Sequence, residues 1–167
     1  MQGKRIVVFV AVAVAVVLAA WAFWPGEERL IRSRLENLAA AASESGGQGI
    51  GQMAHAAELA SFFSADAVVD LGSPHPEIRG RDAIMALAAQ ATAPDDEFTI
   101  TFKDITVTLD PGEKGAAARL TAVVSGRGPG LLGDTVDASE IEIDLSKADG
   151  EWTVSRVTIV QPIARPQ

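Results

Sequence analysis

FFSADAVVDLGSPHPEIRGRDAI, the stretch from Phe62 to Ile84, reads as the end of a helix, a short strand, a turn, a second short strand and the start of another helix. The helix is the one running from Gln52 to Phe63, where Met53, Ala56, Ala60 and Phe63 recur at helical spacing and His55 falls off the stripe. Ser64-Ala65-Asp66 is its exit turn, with the Asp66 carboxylate suited to cap it. Ala67 to Leu71 is the first short strand, and Gly72 to Pro76 is a turn with two prolines. Glu77-Ile78-Arg79 pairs back as the second. Gly80 opens a helix from Arg81 to about Ala91 that buries Ile84, Leu87, Ala88 and Ala91.

Working outward to the N-terminal side, Glu27 to Ala42 is another helix. Ile31, Leu35, Leu38 and Ala42 share one face, and Glu27 and Glu28 suit its positive end. The link from Ser43 to Gly51 is glycine-rich. It lacks the Lys-Ser/Thr of a phosphate-binding loop and follows a helix rather than a strand, so it reads as a connection.

On the C-terminal side the period changes to two. Phe98, Ile100 and Phe102 carry the apolar face, then the phase slips and Ile105, Val107 and Leu109 take it over. A one-residue slip inside a continuous strand predicts a β-bulge near Lys103-Asp104. Ala116 to Ser125 is the next strand, with Leu120, Ala122 and Val124 on one face. A loop carrying Leu131 and Leu132 leads to a strand over Val136 to Lys147. There Ile141, Ile143 and Leu145 oppose an acidic row of Glu140, Glu142 and Asp144. That row reads as a solvated face, since side chains two apart on a strand are spread by about 7 Å. Asp149-Gly150 is a hairpin turn. Glu151 to Val160 is the last strand, with Trp152 and Val154, then Val157 and Ile159. The order predicts an α+β fold: three helices packed on a curved, mostly antiparallel sheet of four long and two short strands.

The chain has 167 residues and no cysteine, which excludes disulfides and thiolate chemistry, and only two histidines. No metal and no cofactor is expected. The net charge is -8; beyond Trp24 there are 12 basic and 22 acidic side chains, a net of -10. Such a domain repels phosphate backbones, so no nucleic-acid partner is expected.

Ile6 to Trp24 holds no charged side chain, and as a helix it spans roughly 28 Å, close to the hydrocarbon core of a bilayer. Residues 1–5 form a short basic tail, Trp21 and Trp24 suit an interfacial belt, and Pro25-Gly26 ends the run. The alternative is a signal peptide cleaved after Ala20-Trp21-Ala22. The expected organisation is a tail over 1–5, a transmembrane anchor or signal peptide over 6–24, one domain over 27–160 and a tail over 161–167. Lys4 and Arg5 favour an inside N-terminus, while Arg29, Arg32 and Arg34 lie close behind the span. The expected location is a single-pass membrane protein with an extracytoplasmic, periplasmic domain, secreted if the segment is cleaved.

Three groups of residues carry a family resemblance. They are Phe62-Phe63 with Asp66-Ala67-Val68-Val69, then Arg79-Gly80-Arg81-Asp82-Ala83-Ile84, and the closing Asp149-Gly150-Glu151-Trp152-Thr153-Val154. In this order the chain resembles the nuclear transport factor 2-like superfamily over roughly Glu27 to Val160. That is the cystatin-like cone shared by ketosteroid isomerases and polyketide cyclase-like, SnoaL-like proteins. The resemblance implies a cone that encloses a ligand pocket, here lined by Phe63, Val69, Leu71, Phe98, Ile100, Leu120 and Trp152. It does not imply one activity, because the fold hosts enzymes, binding domains and assembly parts.

Members that isomerise place a catalytic carboxylate two residues past the position of Val69, which here is Leu71, and use a tyrosine, of which this chain has none. Asp70 alternates to the opposite face from Leu71 and His75 lies in the following turn, so these two are outside candidates for an isomerase or hydrolyase site. The reading favoured is a membrane-anchored, non-catalytic domain. It binds a small hydrophobic ligand in the cone, or a second copy or an envelope protein through the sheet. An assembly component of an envelope complex with VirB8-like layout is the rival.

Overall fold

Four long strands with apolar residues on one side and charged residues on the other need a cover on one face only, and the helices supply it. The computed structural model describes residues 26–44, 49–72, 74–91, 97–112, 114–127 and 137–162. Among these, the helices are α1 (Glu27–Ser43), α2 (Ile50–Ser61) and α3 (Arg81–Ala91). The strands are β1 (Phe63–Asp70), β2 (Ile78–Arg79), β3 (Glu97–Leu109), β4 (Gly115–Arg127), β5 (Asp137–Ala148) and β6 (Glu151–Pro162). The run 6–24, the cleavage site before Phe23 and the Leu131-Leu132 loop lie outside the described residues. No described helix is long and apolar enough to cross a membrane.

The six strands form one sheet in the order β2-β1-β6-β5-β4-β3. β1 runs parallel to β6, and every other neighbouring pair is antiparallel. Ile31, Leu35 and Leu38 of α1 join Ile105, Leu120, Ile143, Leu145, Trp152 and Val154 of the sheet in a single buried cluster. α1 lies across β3 and touches β6, while α2 and α3 pack on each other and on β1.

The slip read at Lys103-Asp104 is a bulge: Lys103 pairs with Thr121 and Thr106 with Arg119, and Asp104 is held at φ 53°. The change of phase in β6, from Trp152 and Val154 to Val157 and Ile159, is also a bulge: Asp144 pairs with Arg156 but Leu145 pairs with Val154, and a further shift lies where Glu140 pairs with Gln161 but Ile141 with Ile159. Each extra residue bends its strand and increases the local twist, which gives the sheet its curvature.

Three local expectations need correction. Phe63 does not end a helix; α2 stops at Ser61 and Phe63 opens β1, paired with Val154. Because Phe63 leaves the helix, the phase of the α2 stripe shifts. His55 and Ala56 are buried and Met53 is exposed, the reverse of the expected placement of His55 and Met53. In α3, Ile84 is buried but Leu87 is exposed; the short helix packs mainly on α2 and less on β1, which leaves Leu87 on its open side.

The strand directions give the molecule two poles. At one lie the start of α1, the turn between β3 and β4, and the turn between β5 and β6. There the Lys147 N–H donates to the Lys114 carbonyl at 2.9 Å. At the other lie the end of α1, the end of β1 and the ends of β4 and β6. Ser43 fastens that end: its Oγ accepts from the Ile100 N–H at 2.8 Å and donates to the Ala39 carbonyl at 2.7 Å.

Candidate functional site

The stretch from Phe62 to Ile84 is built as a joint. Between Phe63 and Val68 the register of β1 against β6 shifts, which takes the intervening backbone groups out of the ladder. The Arg79-Gly80-Arg81 segment satisfies two carbonyls here. Gly80 N–H donates to the Ala67 carbonyl at 2.7 Å, and Arg81 Nε donates to the Phe63 carbonyl at 2.8 Å. Gly80 sits at φ 88°, a conformation that L side chains rarely adopt. Arg79 pairs with Glu77 at the surface. The Asp66 carboxylate accepts the Ser64 hydroxyl at 2.9 Å, within the same bulged segment.

The sheet has two chemically opposite faces. Facing the helices are Ile105, Val107 and Leu109 of β3, Leu120 and Ala122 of β4, Ile141, Ile143 and Leu145 of β5, and Trp152, Val154 and Val157 of β6. None is titratable. On the helical side the buried polar residue among the described residues is His55 of α2, at 8% exposure. On the outer face the register aligns Arg119 with Glu142, Thr121 with Glu140, and Asp144 with Arg156. Arg119 and Glu142 form an open ion pair at 3.6 Å. Beside it lies a hollow of about 350 Å³ lined by Asp104, Arg119, Leu120, Thr121, Glu140, Ile141 and Val160. The bulge turns Asp104 into this hollow's rim, on the face the helices leave open.

The expected pocket residues separate by depth. Phe63, Leu120 and Trp152 belong to the buried cluster, and Val69 packs against it. Ile100 is half-buried, at the far pole of β3. Leu71 lies just past the end of β1 and is 37% exposed. Phe98 pairs with Gly126 in the β3–β4 ladder; its side chain lies outside the described residues.

Asp70 pairs with Thr158, the strand position that faces outward with Glu142, so it looks away from the helices. Its Oδ1 accepts the Gly72 N–H at 2.9 Å, closing the strand with an Asx turn. His75 is exposed, and its backbone N–H donates to the Gly72 carbonyl at 2.9 Å. No hydrogen bond or ion pair joins the Asp70 and His75 side chains. The acidic row on β5 assembles no group of three ligands that would hold a metal ion among the described residues.

One arrangement had no counterpart in the sequence reading. Glu27 Oε1 accepts from Lys147 Nζ at 2.7 Å, and its Oε2 accepts from the Trp152 indole N–H at 2.7 Å. The Lys147 ammonium lies 5.6 Å from the Trp152 ring. The Lys147 hydrogen bond first, and the Trp152 one second, hold the Glu27 carboxyl below its ordinary 4.5. The Glu27 and Lys147 positions are 120 residues apart, so no local pattern signals them. Arg34 is a second missed contact. Its guanidinium stacks 4.4 Å over Phe62 and donates to the Ser61 carbonyl at 3.2 Å, tying α1 to the end of α2.

A SnoaL-like domain matches residues 52–158. The chain belongs to the SnoaL-like family. The match starts in α2 and ends within β6, so it covers the joint, the β3 bulge and most of both sheet faces. Solved structures place the SnoaL-like chain in the same fold. A provisionally assigned scytalone dehydratase from Novosphingobium aromaticivorans aligns with TM-score 0.63 at 20% identity, over 83% of this chain and 94% of that one. ActVI-ORFA from Streptomyces coelicolor aligns with TM-score 0.60 at 12% identity, over 80% and 97%. Aln2 from a Streptomyces species aligns with TM-score 0.61 at 15% identity, over 78% and 86%. At these identities the likeness concerns the fold. No curated protein matches the chain.

Proposed function

We propose that this is a membrane-anchored SnoaL-like domain that binds rather than catalyses, holding a small hydrophobic ligand between its helices and the apolar face of its sheet. The observation behind it is the chemistry of that face: from β3 to β6 the described side chains packed under the helices are apolar, and Lys147, at the edge of the face, is paired with Glu27 of α1. General acid–base catalysis needs a positioned proton donor or acceptor, and a lipophilic ligand needs apolar walls. Leu71, where related isomerases carry their carboxylate, is consistent with this reading. Residues 6–24 serve as the anchor, with the domain outside the cytoplasm. The test is a thermal-shift and co-purification screen of the domain from Glu27 onward against sterols, fatty acids and aromatic polyketides. A rise in melting temperature with one class supports the reading; no shift and no co-purifying ligand removes it.

A second reading rests on the outer face, and its occupant is a second copy of this chain. The acidic row of Glu140, Glu142 and Asp144 on β5 is flanked by Arg119 on β4 and Arg156 on β6. A two-fold axis lying in the plane of such a face, parallel to the strands and between the acidic and a basic row, brings the acids of one copy against the bases of the other, as a self-complementary interface requires. Light scattering of the purified domain at low and high salt checks it. A dimer that dissociates with salt is expected. A monomer under all conditions ends the reading, and in-cell crosslinks to a different envelope protein would redirect it to a heterologous partner.

A further inference from the structure

We infer that the domain stands on the bilayer with one defined pole against it: the pole formed by the start of α1, the β3–β4 turn and the β5–β6 turn. The inference rests on the anchor reading above and adds an orientation to it. The apolar run ends at Trp24, and Glu27 is already bound into the fold. Three residues reach at most about 11 Å, which places Glu27 near the outer limit of the headgroup layer.

Glu27 is no free end of a linker. Its two carboxylate oxygens take hydrogen bonds from Lys147 and Trp152, one on each strand of the β5–β6 hairpin. The Lys147 N–H is in turn bonded to the Lys114 carbonyl of the β3–β4 turn. Three elements are therefore fastened together close to the point where the chain leaves the bilayer. The opposite pole is carried away by rigid elements. α1 has 17 residues, so it extends about 26 Å from Glu27 to Ser43. β1 moves in the same direction beside β6, from Phe63 opposite Val154 to Asp70 opposite Thr158, and the turn bearing His75 follows it.

The surface at the near pole says how the contact is made. Exposed there are Glu28, Asp110, Asp149 and Glu151, against Arg29 and Lys114. This balance is wrong for attraction to anionic lipid, so proximity is imposed by the tether and its clasp. The acidic domain is instead pushed upright by an anionic leaflet, and a ligand or partner in the aqueous compartment meets the far pole.

Because the chain has no cysteine, single labels can be placed without background. Lys114→Cys and Glu151→Cys mark the near pole and His75→Cys the far pole, all at exposed positions. Each full-length variant is labelled with a fluorophore and reconstituted in phosphatidylcholine vesicles carrying a headgroup nitroxide quencher. With about 11 Å of reach at the near pole, both near labels should lose about half or more of their emission, and the far label almost none. Equal quenching at His75, or none at Lys114 and Glu151, in protein that floats with the vesicles overturns the orientation. Protein that fails to float overturns the anchor reading itself, and the orientation with it.

Discussion

Glu27 is the residue that does most outside its own helix. Its carboxylate satisfies a buried indole N–H and an ammonium at once, and both partners sit on the closing hairpin. Glu27→Gln keeps the shape but removes the charge, and should cost about 1–2 kcal/mol in urea unfolding at pH 7. The folded carboxyl titrates below its ordinary value of 4.5, held there by Lys147 and then Trp152. Its contribution is therefore full above the unfolded value and is lost as pH falls through the lower, folded one. The difference in stability between the parent chain and Glu27→Gln should shrink as the pH is taken below 4.5, and a constant difference would show that the carboxylate charge is not its source. Arg81 acts on the same scale. Arg81→Ala strips the partner from the Phe63 carbonyl at the joint, with an expected loss of about 1–2 kcal/mol by the same measurement.

Among the elements, β3 depends most on a single backbone choice. It is an edge strand, and its bulge places Asp104 at φ 53°, which a short polar side chain tolerates and a β-branched one does not. Asp104→Gly should fold with equal or higher stability, whereas Asp104→Val should lose about 1–2 kcal/mol; chemical denaturation of the pair separates them. The bulge was legible in the sequence because it leaves a trace in the alternation, where two polar residues instead of one separate Phe102 from Ile105. α2 was less legible. Its apparent stripe extends to Phe63, which belongs to a strand, and with Phe63 removed the buried face takes in His55 and leaves Met53 exposed. The edge strand also shows a cap that no pattern announces: Ser43 bonds both the chain of α1 and the Ile100 N–H across 57 residues.

At the scale of the molecule, the two faces of one sheet differ in chemistry. The apolar side is closed over by α1, and the outer side carries Arg119, Glu140, Glu142, Asp144 and Arg156 in alternating array. If the outer face joins two copies, Arg119→Glu sets acid against acid and should weaken self-association at least about tenfold at low salt, with the difference fading as salt rises. Sedimentation velocity across a concentration series reads this directly, and an unchanged association would place the interface elsewhere.

Period, phase slips and turn chemistry settled the element order and the α+β class, because amphipathic alternation is a local property that survives in a bare string of residues. The family was also legible in Phe62–Ile84, through Phe62-Phe63, Asp66 to Val69 and Arg79 to Ile84. What only the tertiary structure decided were the long-range pairings. These include the Glu27–Lys147–Trp152 clasp, Arg34 over Phe62, the outward aim of Asp70, and the hollow at Asp104 on the outer face. Each depends on which strand lies beside which and at what register, and that is fixed by packing of the whole core rather than by any residue's neighbours in the chain.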